Sequence, residues 1–194
     1  MKVLRREDLR FLFLEALMIL IGVLAALLLD SAREEAETRR GVRAARERLV
    51  LEVSQNRAEL MDLEEAVSGR LSLLQQQRFG LQHGTSLADR MAEFGGFRTA
   101  DFSDAAWDRL SRSYLGDSAD PDLLRDAFYL YEWNAQFESL NGEINDLVFS
   151  EIFFTADKAT VAIDISEWIM NQQLSWAREL MVRYDDFLET HSEK

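Results

Sequence analysis

The chain has 194 residues and a mass of 22.4 kDa, enough for one ordinary domain and too little for two. It contains no cysteine, which excludes disulfides, zinc–thiolate sites and thiol nucleophiles. Thirty-five acidic residues against 22 basic ones give a net charge of −13, the wrong balance for a general nucleic-acid binder. At 47% hydrophobic the chain is no solvated disordered tail, and its single proline and nine glycines favour long helices over many short strands.

The first predicted element is the run FLFLEALMILIGVLAALLL from Phe11 to Leu29, which carries one charge, Glu15. As a helix it is roughly 29 Å long, close to the thickness of a bilayer's hydrocarbon core. The basic start formed by Lys2, Arg5 and Arg6 also suits a cleaved signal peptide, with Val23 and Ala25 as a weak small-residue pair. The apolar run, however, continues through Leu29 without a polar spacer, so a retained anchor is the stronger expectation. Residues 1–10 are then a cytoplasmic tail, held inside by Lys2, Arg5, Arg6 and Arg10. Arg33, Arg39, Arg40, Arg43, Arg46 and Arg48 weaken the charge asymmetry, but a long following segment crosses largely regardless of charge.

Within the span, Glu15, Gly22 and Ala26 fall on one helix face. Gly22 and Ala26 form a small-xxx-small pair that lets a second helix approach closely, and a carboxyl at membrane depth needs a partner or a proton. The competing reading places Glu15 near the headgroups and treats Gly and Ala as ordinary membrane-helix residues. The combination marks a candidate partner-binding face in the membrane.

From Asp30 to about Gln77 the composition predicts one continuous helix, rich in Ala, Glu, Arg, Leu and Gln. Its first part, Ser31 to Arg48, is a solvated stalk dominated by Arg and Glu. Leu49, Val53, Asn56, Leu60, Leu63, Val67 and Leu74 then follow alternating steps of three and four, with Arg70 in the remaining slot. That coiled-coil-like seam predicts helix-on-helix packing. Asn56 in the seam either fixes register through a polar partner or lies at the seam's edge facing water. Gly41 and Gly69 each weaken the helix by roughly 1 kcal/mol relative to Ala.

Phe79-Gly80-Leu81 and His83-Gly84 break the helix. Thr85 or Ser86 caps a short helix through Phe94, ended by Gly95-Gly96, and Asp101 to Ser113 reads as another short helix. Asp120 and Pro121 are a good N-cap and first helical residue for a long helix, with Leu130, Trp133, Phe137, Leu140, Ile144 and Leu147 on its apolar face. Leu124, Phe128 and Tyr131 widen that face. After the Phe149 to Asp157 region, a last helix carries Ile165, Ile169, Trp176, Leu180, Tyr184 and Phe187. The expectation is an all-α protein: a transmembrane helix at 11–29, a stalk and coiled-coil-like helix at 30–80, and a helical bundle at 81–194 packing on the C-terminal half of the stalk helix. The abundant aromatic residues are expected in the core.

Residues for chemistry are scarce. Asp117, Asp120 and Asp122 have calcium-loop composition, but Ala119 and Pro121 stand at the alternate positions where ligands are needed. The residues three before His83 and His191 are Gly80 and Leu188, so no di-iron Glu-x-x-His pair exists. Both histidines are expected to face solvent, as are Glu64-Glu65 and Asp185-Asp186. There is no phosphate-binding loop with Lys and no serine elbow. No catalytic residue, cofactor or metal is expected.

Ile21-Gly22-Val23-Leu24 followed by a charged helix, Glu52 through Leu60 with Asn56 in the middle, and Ala106-Trp107-Asp108-Arg109-Leu110-Ser111-Arg112-Ser113 form a pattern. It resembles a group of uncharacterised bacterial proteins with one N-terminal membrane helix and a helical domain. The likeness runs to about Tyr131. What it implies is architecture, one N-terminal membrane helix followed by a helical domain. Taken with the basic tail, the expectation is a single-pass inner-membrane protein with a cytoplasmic N-terminus and a periplasmic soluble domain. The partners expected are the lipid bilayer and other subunits of a membrane complex, or a second copy. The role expected is a non-catalytic accessory or scaffold subunit, with a small-ligand sensing module as the alternative.

Overall fold

A computed structural model of the chain describes residues 6–80 and 84–192, with side-chain surroundings for 14, 15, 17–76, 78 and 84–192. In order it contains α1 (Arg6–Gly80), α2 (Leu87–Phe94), α3 (Ala105–Ser111), a 3₁₀ turn at Gly116–Ser118, α4 (Pro121–Val148), α5 (Glu151–Phe154), a second 3₁₀ turn at Ala156–Lys158, and α6 (Ala159–His191). No strand occurs among the described residues, so the all-helical expectation holds. Two compact units divide the chain, Met1–Ala44 and Ala45–Lys194.

In the first unit, α1 presents its apolar side chains outward over residues 17–29: Met18 is 69% exposed, Leu28 71% and Leu29 73%. Phe11, Leu12, Phe13 and Ala16 of the expected anchor, and the tail at 1–5, lie outside the residues so described. Among the described residues no helix is long and apolar enough to cross a membrane. Their uninterrupted apolar stretch, residues 17–29, is about 20 Å long at about 1.5 Å per residue, against a hydrocarbon core of about 30 Å. Arg33–Glu37 at 3.0 Å and Arg39–Glu35 at 2.5 Å join helix neighbours four apart on the polar part that follows. Both pairs are exposed, so each adds only a few tenths of a kcal/mol.

In the second unit the rest of α1 packs with α4 and α6. The seam residues Leu49, Val53, Leu60, Leu63, Val67 and Leu74 are all essentially inaccessible. Arg57 pairs with Asp185 at 2.6 Å, Glu64 with Arg178 at 2.8 Å, and Arg78 with Asp164 and Glu167. Partner numbers fall along α6 as they rise along α1, so the two helices run antiparallel. The pairs at Arg78 also explain why α1 continues to Gly80 rather than ending near Gln77: its last turn is held from α6. Buried Ala127 on α4, with Ala162 and Ala177 on α6, keeps the helices close while Phe137, Leu140, Ile163 and Leu180 fill the core.

Capping chemistry sets two starts as expected. Ser86 caps α2 in a reciprocal box with Asp89, and Gly95 ends it at φ 80°, a left-handed conformation that glycine adopts without cost. Asp120 caps α4, accepting from the Asp122 amide at 3.0 Å, with Pro121 next.

Elsewhere the structure corrects the reading. The short helix expected from Asp101 to Ser113 covers only Ala105–Ser111, because tertiary partners take the backbone amides ahead of it: Phe102 N donates to Glu138 and Ser103 N to Asn56. On α4 the second apolar line holds only at Tyr131, which is buried. Phe128 is exposed and Leu124 half-buried, while Leu123 and Ala127 are buried beside Leu130. Trp133, Ile165 and Trp176 are half-buried edge residues. Phe149, Phe154 and Trp168 are exposed, so the aromatic residues are only partly core.

Candidate functional site

Glu15, Gly22 and Ala26, the predicted membrane face, are all exposed on α1. A Cβ built on Gly22 meets nothing within 4 Å, so the glycine is not needed by any packing among the described residues. Space for a close neighbour is therefore open along this face.

Asn56 resolves in favour of a polar partner. It is 3% exposed, and its amide clasps one residue from both sides: Nδ2 donates to the Ser103 carbonyl at 2.8 Å, and Ser103 N donates to Oδ1 at 2.9 Å. The partner is backbone rather than a side chain. One helical turn earlier Glu52, 6% exposed, accepts from Ser103 Oγ at 2.8 Å, Ala106 N at 2.8 Å, Trp107 N at 3.3 Å and Tyr131 Oη at 2.5 Å. The first-turn amides of α3 thus receive their cap from another helix, since Asp104 makes no side-chain cap bond. Trp107 stacks on Tyr131 with ring centroids 5.6 Å apart.

Burial, then donation to Glu52, pushes the Tyr131 hydroxyl far above its ordinary value. Burial likewise raises Tyr184, which donates to Asn134 Oδ1 at 2.7 Å. Both phenols stay neutral and act as fixed donors. The Glu52 bonds tie α1 to α3 and α4, and the Tyr184–Asn134 bond ties α6 to α4. Residue-by-residue reasoning missed Glu52 as a buried group; the available signal was its place one turn before Asn56 on the seam side of α1.

The expectation for the histidines fails at His191, while His83 lies outside the described residues. His191 is 4% exposed; its Nε2 meets Asp126 Oδ2 at 3.0 Å, its ring lies 4.7 Å from Phe187, and its carbonyl accepts from Arg46 at 2.7 Å. A nearly terminal position suggested solvent, but the last turn of α6 packs between α1 and α4. Asp126 feels opposing effects: burial raises its carboxyl, while hydrogen bonds from His191 and Arg125 and their charges bring the net value below the ordinary range. Of the acidic pairs expected to face solvent, Glu65, Asp185 and Asp186 are exposed and Glu64 is half-buried; Asp185 and Glu64 also pair across helices as described above.

Beside this pair, α4 and α6 bound a cleft of about 320 Å³ lined by Asp126, Tyr129, Leu130, Arg183, Asp186, Phe187 and Thr190. A wider groove of about 680 Å³ lies between α1 and α2, along Ala66, Gly69, Leu73 and Phe94. No group of carboxylates and histidines suited to a metal ion occurs among the described residues. Comparison with known protein families, with curated proteins and with solved structures found no match.

Proposed function

We propose that the chain is a non-catalytic accessory or scaffold subunit of a larger inner-membrane protein complex, anchored by one transmembrane helix. The observation that carries this reading is the uninterrupted exposure of apolar side chains over residues 17–29 of α1. Such a surface needs lipid or protein around it rather than water. Together with Phe11 to Ala16, the run reaches the length of a span. Glu15, Gly22 and Ala26 then form the face toward a neighbouring helix. The polar stretch that follows is the stalk, and residues 45–194 are the periplasmic bundle, with the basic tail in the cytoplasm. Detergent extraction and affinity purification of the intact protein test the reading. A stoichiometric partner or a self-assembled oligomer is expected; a lone monomer overturns it.

The alternative, a membrane-anchored small-ligand module, is favoured by one observation. The α4/α6 cleft has the size of a small-molecule site.

A further inference from the structure

The walls of the α4/α6 cleft carry charges of both signs around an apolar floor. Asp186 is exposed at the cleft, and among the described residues it forms no hydrogen bond or ion pair. Asp126, one wall away, is held in place by Arg125 and His191 and adds a second negative charge. Arg183 supplies the opposite sign. Its guanidinium carbon lies 4.2 Å over the Trp133 ring, and one terminal nitrogen is bonded to Glu179 at 2.9 Å. Those contacts fix its orientation but do not exhaust its donors: Nε is buried without an acceptor, and the side chain remains 40% exposed. Leu130 and Phe187 form the buried floor, and the exposed ring of Tyr129 stands at the edge.

We propose that this cleft binds a small zwitterion with an apolar side chain, an amino-acid-like ligand. Asp186 takes the ammonium group in the field of Asp126, and the terminal donors of Arg183 take the carboxylate. The apolar side chain covers Leu130 and Phe187. A purely anionic ligand meets two carboxylates, and a purely cationic one meets the guanidinium, so each half-charged analogue leaves one wall unsatisfied. The low net value of Asp126 keeps that wall charged at neutral pH. This inference stands whether or not the chain is a scaffold subunit, because it uses only α4 and α6.

Calorimetric titration of the full-length, detergent-solubilised protein decides it, with L-phenylalanine and L-leucine as probes. 2-Phenylethylamine, which lacks the carboxylate, and 3-phenylpropanoate, which lacks the ammonium, are the comparison ligands. L-Phenylalanine is expected to bind saturably, with both amputated analogues weaker by about tenfold or more, the scale of one lost charge-assisted hydrogen bond. Asp186→Asn, at an exposed position, should keep the helical spectrum and lower amino-acid affinity by a similar factor. Absence of saturable binding by L-phenylalanine and by L-leucine up to about 10 mM overturns the proposal. So does an amine or acid analogue that binds as tightly as L-phenylalanine, or an Asp186→Asn protein with unchanged affinity.

Discussion

Glu52 shows how much one residue on a helix seam can organise. Removing its carboxyl by Glu52→Ala leaves the Ser103 and Tyr131 hydroxyls and the Ala106 and Trp107 amides without their acceptor. Since each buried orphan costs about 1–3 kcal/mol, the substitution should lower unfolding free energy by about 3 kcal/mol or more, read by chemical denaturation. Tyr131→Phe removes only one donor and should cost about 1 kcal/mol at neutral pH. Its pH dependence is more informative. Tyr131 is raised above its reference of 10.0 by burial and by Glu52, so the folded state keeps the phenolic proton after the unfolded chain has lost it. The stabilisation is therefore complete below pH 10 and declines as pH rises beyond it. Melting curves between pH 8 and pH 11 should show the gap between wild type and Tyr131→Phe narrowing at the alkaline end. A gap that widens there contradicts the assignment.

At the scale of elements, helix starts written in local chemistry were legible and those supplied by other helices were not. Ser86 with Asp89, and Asp120 with Pro121, place their own backbone amides within reach, so a few consecutive residues suffice to place α2 and α4. Asp120→Ala should accordingly cost about 1 kcal/mol, measured as a lowered denaturation midpoint with unchanged slope. The start of α3 has no such local signal. Its amides find their acceptors on Glu52 of α1, and the backbone amides ahead of it are taken by Asn56 and Glu138. The phase of α4 departs from its apolar pattern for a related reason. Ala127 is small enough to be read as neutral, yet it is fully buried, and that turns Phe128 outward.

For the whole molecule, the exposed face of Glu15, Gly22 and Ala26 is where the proposed assembly is most directly tested. Gly22→Leu adds bulk where nothing among the described residues lies within 4 Å, so folding of the chain itself has no reason to change. If another helix packs there, the substitution should weaken association by about 1 kcal/mol or more, seen as reduced partner recovery in a quantitative pull-down. Leu17→Ile, about 140° around the helix from Gly22, serves as the control and should leave recovery unchanged. Equal recovery from wild type and Gly22→Leu would move the association to the stalk or the bundle. Glu15→Gln keeps size and hydrogen bonding while removing charge; weaker recovery from it would identify a basic partner group.

By itself the sequence determined the helical class, the seam from Leu49 to Leu74 and the locally capped helix starts. Periodicity and capping are short-range properties, expressed within a few turns of one helix. Only the tertiary structure decided the fates of Glu52, Asn56, Tyr131 and His191. A polar residue on a helix has the same local pattern whether it faces water or a backbone segment tens of residues away. Ser103 lies 47 positions from Asn56, and Asp126 lies 65 from His191. Whether such a group is buried depends on which donors and acceptors the packed helices bring opposite it, a long-range matching that no local spacing encodes.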